Sequence, residues 1–288
     1  MPNITAAHDH AAPAVLHVED HGTGRPVVLV HGYPLDARFW ERQIPALVAA
    51  GHRAVAHDRR GFGRSTASVD GADFDTFAAD LDAVLTTLDL TDAVLVGYAM
   101  GSGEVVRYLR NYGSARVSGA VLLAPLPPFL LRTEQSPNGM DLAYFDLKIA
   151  EARADPVGFL TALVGDMFAG SGSGTGAETE TETGAETEAA IKTWTPVATA
   201  LPARTCAAAI PTWITDFRED VAALAALGLP TLIMHGTEDR VLPIEATSRP
   251  LHELLPDAGY SEVEGAPHGL VWTHADTVNG ALIRFLAH

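Results

Sequence analysis

The amino-acid sequence predicts an α/β fold: a mainly parallel sheet of about eight strands with helices on both faces and a helical cap inserted between two strands. Three observations predict it. Short apolar runs alternate with amphipathic ones along most of the 288 residues. Those runs are nearly free of charge, as strands buried on both faces must be. Finally, the alternation breaks once, for a stretch of roughly 90 residues between successive strands, too long for a simple crossover.

In chain order, the strand-like runs are 26–31 (PVVLVH), 53–57 (RAVAH), 92–97 (DAVLVG), 117–123 (VSGAVLL), 231–235 (TLIMH) and 260–263 (YSEV), with an antiparallel edge strand at 15–18 (VLHV). Helical spacing marks 39–50, 74–88, 103–112, 221–227, 244–255 and 271–286. The long interruption assigns 1–124 and 216–288 to the sheet domain and 125–215 to the cap. Within the cap, the tract 170–190 carries TGAETE twice, with five glutamates and no Lys or Arg. Such a segment cannot supply a core and is expected as a disordered acidic loop.

Composition narrows the function classes. Asp plus Glu number 36 against 19 Lys plus Arg, a formal charge of −17 that opposes nucleic acid or an anionic membrane as partner. The lone Cys206 excludes an intrachain disulfide and a multi-cysteine zinc site. With no secretory-signal pattern and no apolar run long enough to span a bilayer, a cytoplasmic globular protein is expected; self-association is left open.

The chemistry concentrates at three strand ends. Run 92–97 leads into Gly97-Tyr98-Ala99-Met100-Gly101 and then a helix, the pattern of a nucleophile elbow, whose tight turn lifts its central side chain above the sheet. A serine is expected at the centre; here it is Ala99. Run 231–235 continues into HGTEDRVLP and the last strand into EGAPHG, offering Asp239 and His268. In that order they form an acid that fixes an imidazole tautomer and a base that removes a hydroxyl proton. Glu238 is the competing acid, its side chain expected to point elsewhere. After run 26–31, His31-Gly32-Tyr33-Pro34 supplies one oxyanion-hole amide, from Tyr33, and Met100 supplies the other. His31 is expected to brace this loop, and the arginines of 58–65 (DRRGFGRS) to serve a turn network.

HGYPLD, DRRGFGRS, DTFAADLDAVL, GYAMGSGEVVRYL, HGTEDRVLPIE and EGAPHGLVWTH together resemble the non-heme haloperoxidase, perhydrolase and aryl-esterase branch of the α/β-hydrolases. The resemblance runs from about residue 15 to 286 and departs at the tract 170–190 and at the elbow residue. It implies an α/β-hydrolase fold, a Ser-Asp-His triad whose serine position is Ala99, and hydrolysis of small esters or lactones without metal or cofactor. Halogenation is then a side product of peracid formation, and Pro34 matches the proline associated with perhydrolysis in this branch. A dehalogenase or epoxide hydrolase would need an aspartate at the elbow.

Without its nucleophile such a chain should bind esters far better than it cleaves them. The intact Asp239, His268 and HGYP loop favour a deliberate serine-to-alanine replacement; the alternative is a natural non-catalytic ligand-binding or assembly protein. Pocket walls are expected from Tyr33, Pro34, Trp40, Phe129, Leu130, Met167, Phe168, Trp194 and Trp213, about half of them touching ligand.

Overall fold

A computed structural model describes residues 3–68, 70–170 and 179–287. Its eight strands are β1 (Asn3–His8), β2 (Ala11–His21), β3 (Pro26–Val30), β4 (Arg53–His57), β5 (Ala93–Tyr98), β6 (Val117–Leu123), β7 (Thr231–Gly236) and β8 (Gly259–Val263). They form one sheet in the order β1-β2-β4-β3-β5-β6-β7-β8. Only β2 runs against its neighbours; β4, β3 and β5 to β8 pair in parallel. Every side chain of β3 and β5 is buried, the signature of a sheet covered on both faces.

The sheet domain's helices are α1 (Ile44–Ala49), α2 (Phe74–Thr87) and α3 (Met100–Tyr112). Between β6 and the return of the chain lie α4 (Leu142–Ala154), α5 (Pro156–Phe168), α6 (Thr179–Thr199) and α7 (Ala203–Ala209). The domain resumes with α8 (Arg218–Leu227), α9 (Ser248–Leu254), α10 (Leu270–Thr273) and α11 (Ala275–Leu286). Helices α2, α3, α8 and α9 form a consecutive row, while α1 and α11 pair separately. A buried fork joins α3 to α8: Arg107 Nε donates to Asp220 Oδ1 at 2.6 Å and Nη2 to Oδ2 at 3.2 Å. Among the described residues no helix is long and apolar enough to cross a membrane.

Four local readings are corrected. Strand β1 was not expected; its alternating exposure, with Ile4 and Ala6 turned inward, makes it an edge strand too short and polar to register as an apolar run. The single helix expected over 39–50 is a 3₁₀ turn, Ala37–Trp40, followed by α1, because Pro45 favours a fresh helix start over continuation of the old one. The helix expected over 271–286 breaks at His274, where φ is −120°. Of the acidic tract 170–190 expected as a loop, residues 171–178 lie outside the described residues, and α6 begins at Thr179. Alanine and glutamate are good helix formers, and the same helix buries Ala190, Trp194 and Ala198 further on, so packing at its far end supports the polar start.

Trp194 ties α6 to the sheet domain. Its ring meets Phe39 edge-on at 5.0 Å between centroids and Trp272 at 5.2 Å, and the side chain is buried. Truncating so large a buried aromatic leaves a cavity at a junction with few substitutes. Trp194→Ala is expected to lower unfolding stability by about 3–5 kcal/mol, measured as a fall in the urea midpoint.

Candidate active site

Strand β5 ends at Tyr98 and α3 begins at Met100, so Ala99 alone makes the turn. Its backbone sits at φ 49° and ψ −117°, a conformation that costs an L residue on the order of 1–3 kcal/mol and persists only when its surroundings enforce it. The enforcement is visible. The Ala99 N–H donates to Leu123 O at 2.9 Å, and the Ser102 hydroxyl donates to Ala99 O at 2.5 Å while accepting from Leu126 N at 2.9 Å. Sheet and helix approach so closely here that a Cβ on Gly97 would lie 2.6 Å from Gly101 O, and one on Gly101 would overlap the Val30 carbonyl. The spacing of two glycines around position 99 is therefore steric. Ser102, beneath the turn, was not singled out in the sequence, because a serine one turn into a helix carries no distinctive signal.

Asp239 follows β7 and His268 follows β8, and the structure brings them together: His268 Nδ1 donates to Asp239 Oδ2 at 2.6 Å. The carboxylate is saturated. Its Oδ1 accepts the N–H groups of Val241 and Leu242 at 2.8 and 2.7 Å, and its Oδ2 also accepts from His235 Nε2 at 2.9 Å. Burial alone would push the Asp239 carboxyl up; the neighbouring His268 and the hydrogen bonds from both imidazoles outweigh it and hold the group well below the usual carboxylate range. His235 is itself oriented by Ser248, whose hydroxyl lies 2.6 Å from Nδ1. Neither His235 nor Ser248 was anticipated: His235 opens the HGTEDRVLP motif but sits on the buried strand β7, and Ser248 lies beyond the motif at the start of α9. Glu238 stands partly exposed and makes no hydrogen bond to His268 among the described residues. On the other side of His268, the Tyr98 hydroxyl donates to its carbonyl at 3.2 Å.

With Nδ1–H committed to Asp239, Nε2 is the ring nitrogen left uncommitted, and His268 shares one cavity with Ala99, Met100 and Tyr33. Met100 opens α3, so its N–H has no partner within the helix, and the Tyr33 N–H donates to no backbone acceptor among the described residues. Two amide donors are thus available at the elbow. Their loop is held by His31, whose Nδ1 donates to Gly32 O at 2.8 Å and whose Nε2 accepts the Arg59 N–H at 2.9 Å. Arg59 in turn binds His31 O through Nη2 at 2.8 Å and Glu104 on α3 through Nε at 2.7 Å.

The cavity has a volume of about 720 Å3 including its mouth. Of the nine expected wall residues, Tyr33, Leu130 and Trp213 line it. The other six do not. Trp40, Met167, Phe168 and Trp194 are core, Phe129 packs beneath the Arg218 guanidinium, and Pro34, after a cis peptide bond, turns into a separate recess beside Arg38 and Arg64. Their places are taken by Met140, Tyr144, Phe145, Phe159 and Leu163, with Lys148, Glu151 and Asp166 also on the lining. Which face of α4 and α5 looks inward is a tertiary fact; α4 shows little apolar periodicity to predict it. Among the described residues no group of three or more His, Cys, Asp or Glu is arranged to hold a metal ion.

A strained elbow, a saturated acid joined to a base, and two amides without a partner among the described residues, all at the ends of parallel strands, are the pattern of the hydrolase class of α/β protein. The chain belongs to the α/β hydrolase fold family, whose profile matches residues 25–275. It is 41% identical over 99% of its length, and 100% of the relative's, to a Synechocystis sp. protein whose provisional name is non-heme chloroperoxidase. It is 34% identical to the bifunctional esterase/perhydrolase DCH of Acinetobacter calcoaceticus, covering 91% of each chain. Bromoperoxidase from Bacillus anthracis superposes with a TM-score of 0.87 at 36% identity, covering 100% of both chains.

The His31 brace gives the site an acid limit. Burial and the Arg59 charge pull its imidazole down to about 4, against the Gly32 hydrogen bond and the Asp58 and Asp36 carboxylates. A histidine whose pKa is lower folded than unfolded contributes stability fully present above its unfolded value, about 6.5, and lost as pH falls toward the folded one. Unfolding stability is therefore expected to fall as pH drops from about 6.5 to 4, and His31→Gln is expected to flatten that slope in urea titrations across this window.

Proposed function

We propose that this is a carboxylic-ester or lactone site of the serine-hydrolase type, in which Ala99 occupies the nucleophile position and leaves the chain an ester binder with little turnover. The observation that carries the reading is the His268–Asp239 pair at 2.6 Å beside a strained elbow with two amides that have no partner among the described residues. Asp239 sets the tautomer, His268 is the base, and Tyr33 and Met100 hold the carbonyl oxygen as charge develops. The apolar cavity beneath the cap suits an aryl or alkyl ester as the small-molecule partner. The esterase/perhydrolase among the relatives supports perhydrolysis as a companion activity, with haloperoxidase chemistry following from the peracid.

Absence of a nucleophile at this position costs on the order of a million-fold in turnover where it has been measured in a triad. An acid saturated by four hydrogen bonds and a base still aligned with the elbow support replacement of a serine in a catalytic chain, since a lineage released from catalysis has no physical reason to keep them. Restoring one hydroxyl should then suffice. Ala99→Ser is expected to hydrolyse p-nitrophenyl acetate, to be labelled by a fluorophosphonate, and to form peracetic acid from acetate and peroxide, while the unmutated chain does none of these at a comparable rate. A folded Ala99→Ser protein that stays unlabelled and inactive would favour a non-catalytic ligand-binding protein instead.

A further inference from the structure

We infer that the protein with alanine at its elbow is a general-base catalyst for proton transfer at a carbon next to a carbonyl group, acting on small uncharged apolar ketones; this rests on the reading of the site given above.

Where an elbow carries serine, the hydroxyl engages the base. Here a methyl group stands in its place, and His268 Nε2 makes no hydrogen bond among the described residues, while Nδ1–H is fixed on Asp239. The base therefore has a lone pair with no internal proton to take. Among the described residues the two amide donors of Tyr33 and Met100 are equally unspent. A carbonyl oxygen seated on them would set its α carbon toward His268, in a site where His268 is 2% and Ala99 4% exposed.

The other nucleophiles near the base are engaged: Lys148 on the cavity wall donates from Nζ to Glu151 Oε2 at 2.8 Å, a bond that pushes its pKa up and holds it as the cation. The Tyr33 hydroxyl is engaged with Cys206, 3.1 Å from its carbonyl oxygen and 3.2 Å from its sulfur, and burial pushes the phenol well above its ordinary value. Burial likewise pushes the Cys206 thiol up.

The step balances without a co-reactant. The α C–H bond breaks, an N–H bond forms at His268 Nε2, and the C–H electron pair shifts to give an enolate whose oxygen accepts from the two amides. Asp239 stabilises the imidazolium that results. Reversal returns a proton to carbon, or a deuteron once the imidazole has exchanged with heavy water. Leu126, Leu130, Phe145 and Phe159 supply apolar walls for the body of the substrate.

The test uses the full chain and 1-phenylpropan-2-one in heavy water, following loss of its α-proton signals by NMR. Exchange is expected to exceed that given by an equal concentration of free imidazole about a hundredfold. It should be inhibited competitively by phenyl acetate, which fills the same cavity, and should fall to background in His268→Asn, with circular dichroism establishing that the variant is folded. Ala99→Ser should exchange at least about tenfold more slowly than the unmutated chain, because its hydroxyl engages Nε2. Exchange no faster than with imidazole, exchange unaffected by phenyl acetate, or exchange equally fast in Ala99→Ser or folded His268→Asn would each overturn the inference. The two readings separate cleanly: an Ala99→Ser esterase whose parent shows no exchange keeps the ester site and removes this activity, whereas an exchanging parent whose Ala99→Ser form ignores esters does the reverse.

Discussion

The buried carboxylate of Asp239 is the constraint on which the site depends. A carboxylate removed from water must recover its lost hydration from fixed donors, or it takes up a proton and ceases to be an anion. Here the recovery is complete: two backbone amides on Oδ1 and two imidazoles on Oδ2. Because the amides belong to the turn directly after Asp239, the acid is fixed by its own loop before any substrate arrives. The base inherits that precision, with one ring nitrogen committed and the other turned to the cavity.

The elbow applies the same logic to the backbone. Strain at position 99 is sustained by β6, through Leu123 O, and by the Ser102 hydroxyl, which links the turn to Leu126, just after β6. The loop after β3 is stitched to α3 through His31, Arg59 and Glu104, so loop and elbow are held in one frame. In that frame the identity of side chain 99 is a separable choice. Everything that would position a hydroxyl is built without it, and the same parts can act on a proton that the ligand itself supplies.

The sheet and the meeting of Asp239 with His268 at its strand ends were legible in the sequence for physical reasons. Doubly buried parallel strands leave uncharged runs such as PVVLV and AVLVGY, and loops that leave their C-terminal ends carry polar residues at fixed offsets, which exposed Asp239 and His268. What could not be read depended on how side chains pack in three dimensions. His235 lies within an apolar strand and looks like one more buried residue until Asp239 is seen beside it. Much of the cavity wall came from α4 and α5, whose inward face is fixed by packing and not by periodicity, so Tyr144 and Phe159 were passed over in favour of Trp40 and Trp194, which are core. Large aromatics are poor guides to a pocket because they are also the best core formers. The helical part of the acidic tract, from Thr179, was missed because composition alone does not show that Trp194, at the other end of the same helix, is anchored.

The most direct measurement is nitrogen NMR of the histidine side chains at mildly alkaline pH. The account places a proton on His268 Nδ1, strongly deshielded by its 2.6 Å bond to Asp239, and none on Nε2. A pyridine-like Nε2 resonance paired with a far-downfield Nδ1–H signal is the expected result, the latter lost in Asp239→Asn. A proton found on Nε2, with Nδ1 bare, would mean that the base is not poised toward the elbow and would contradict the account.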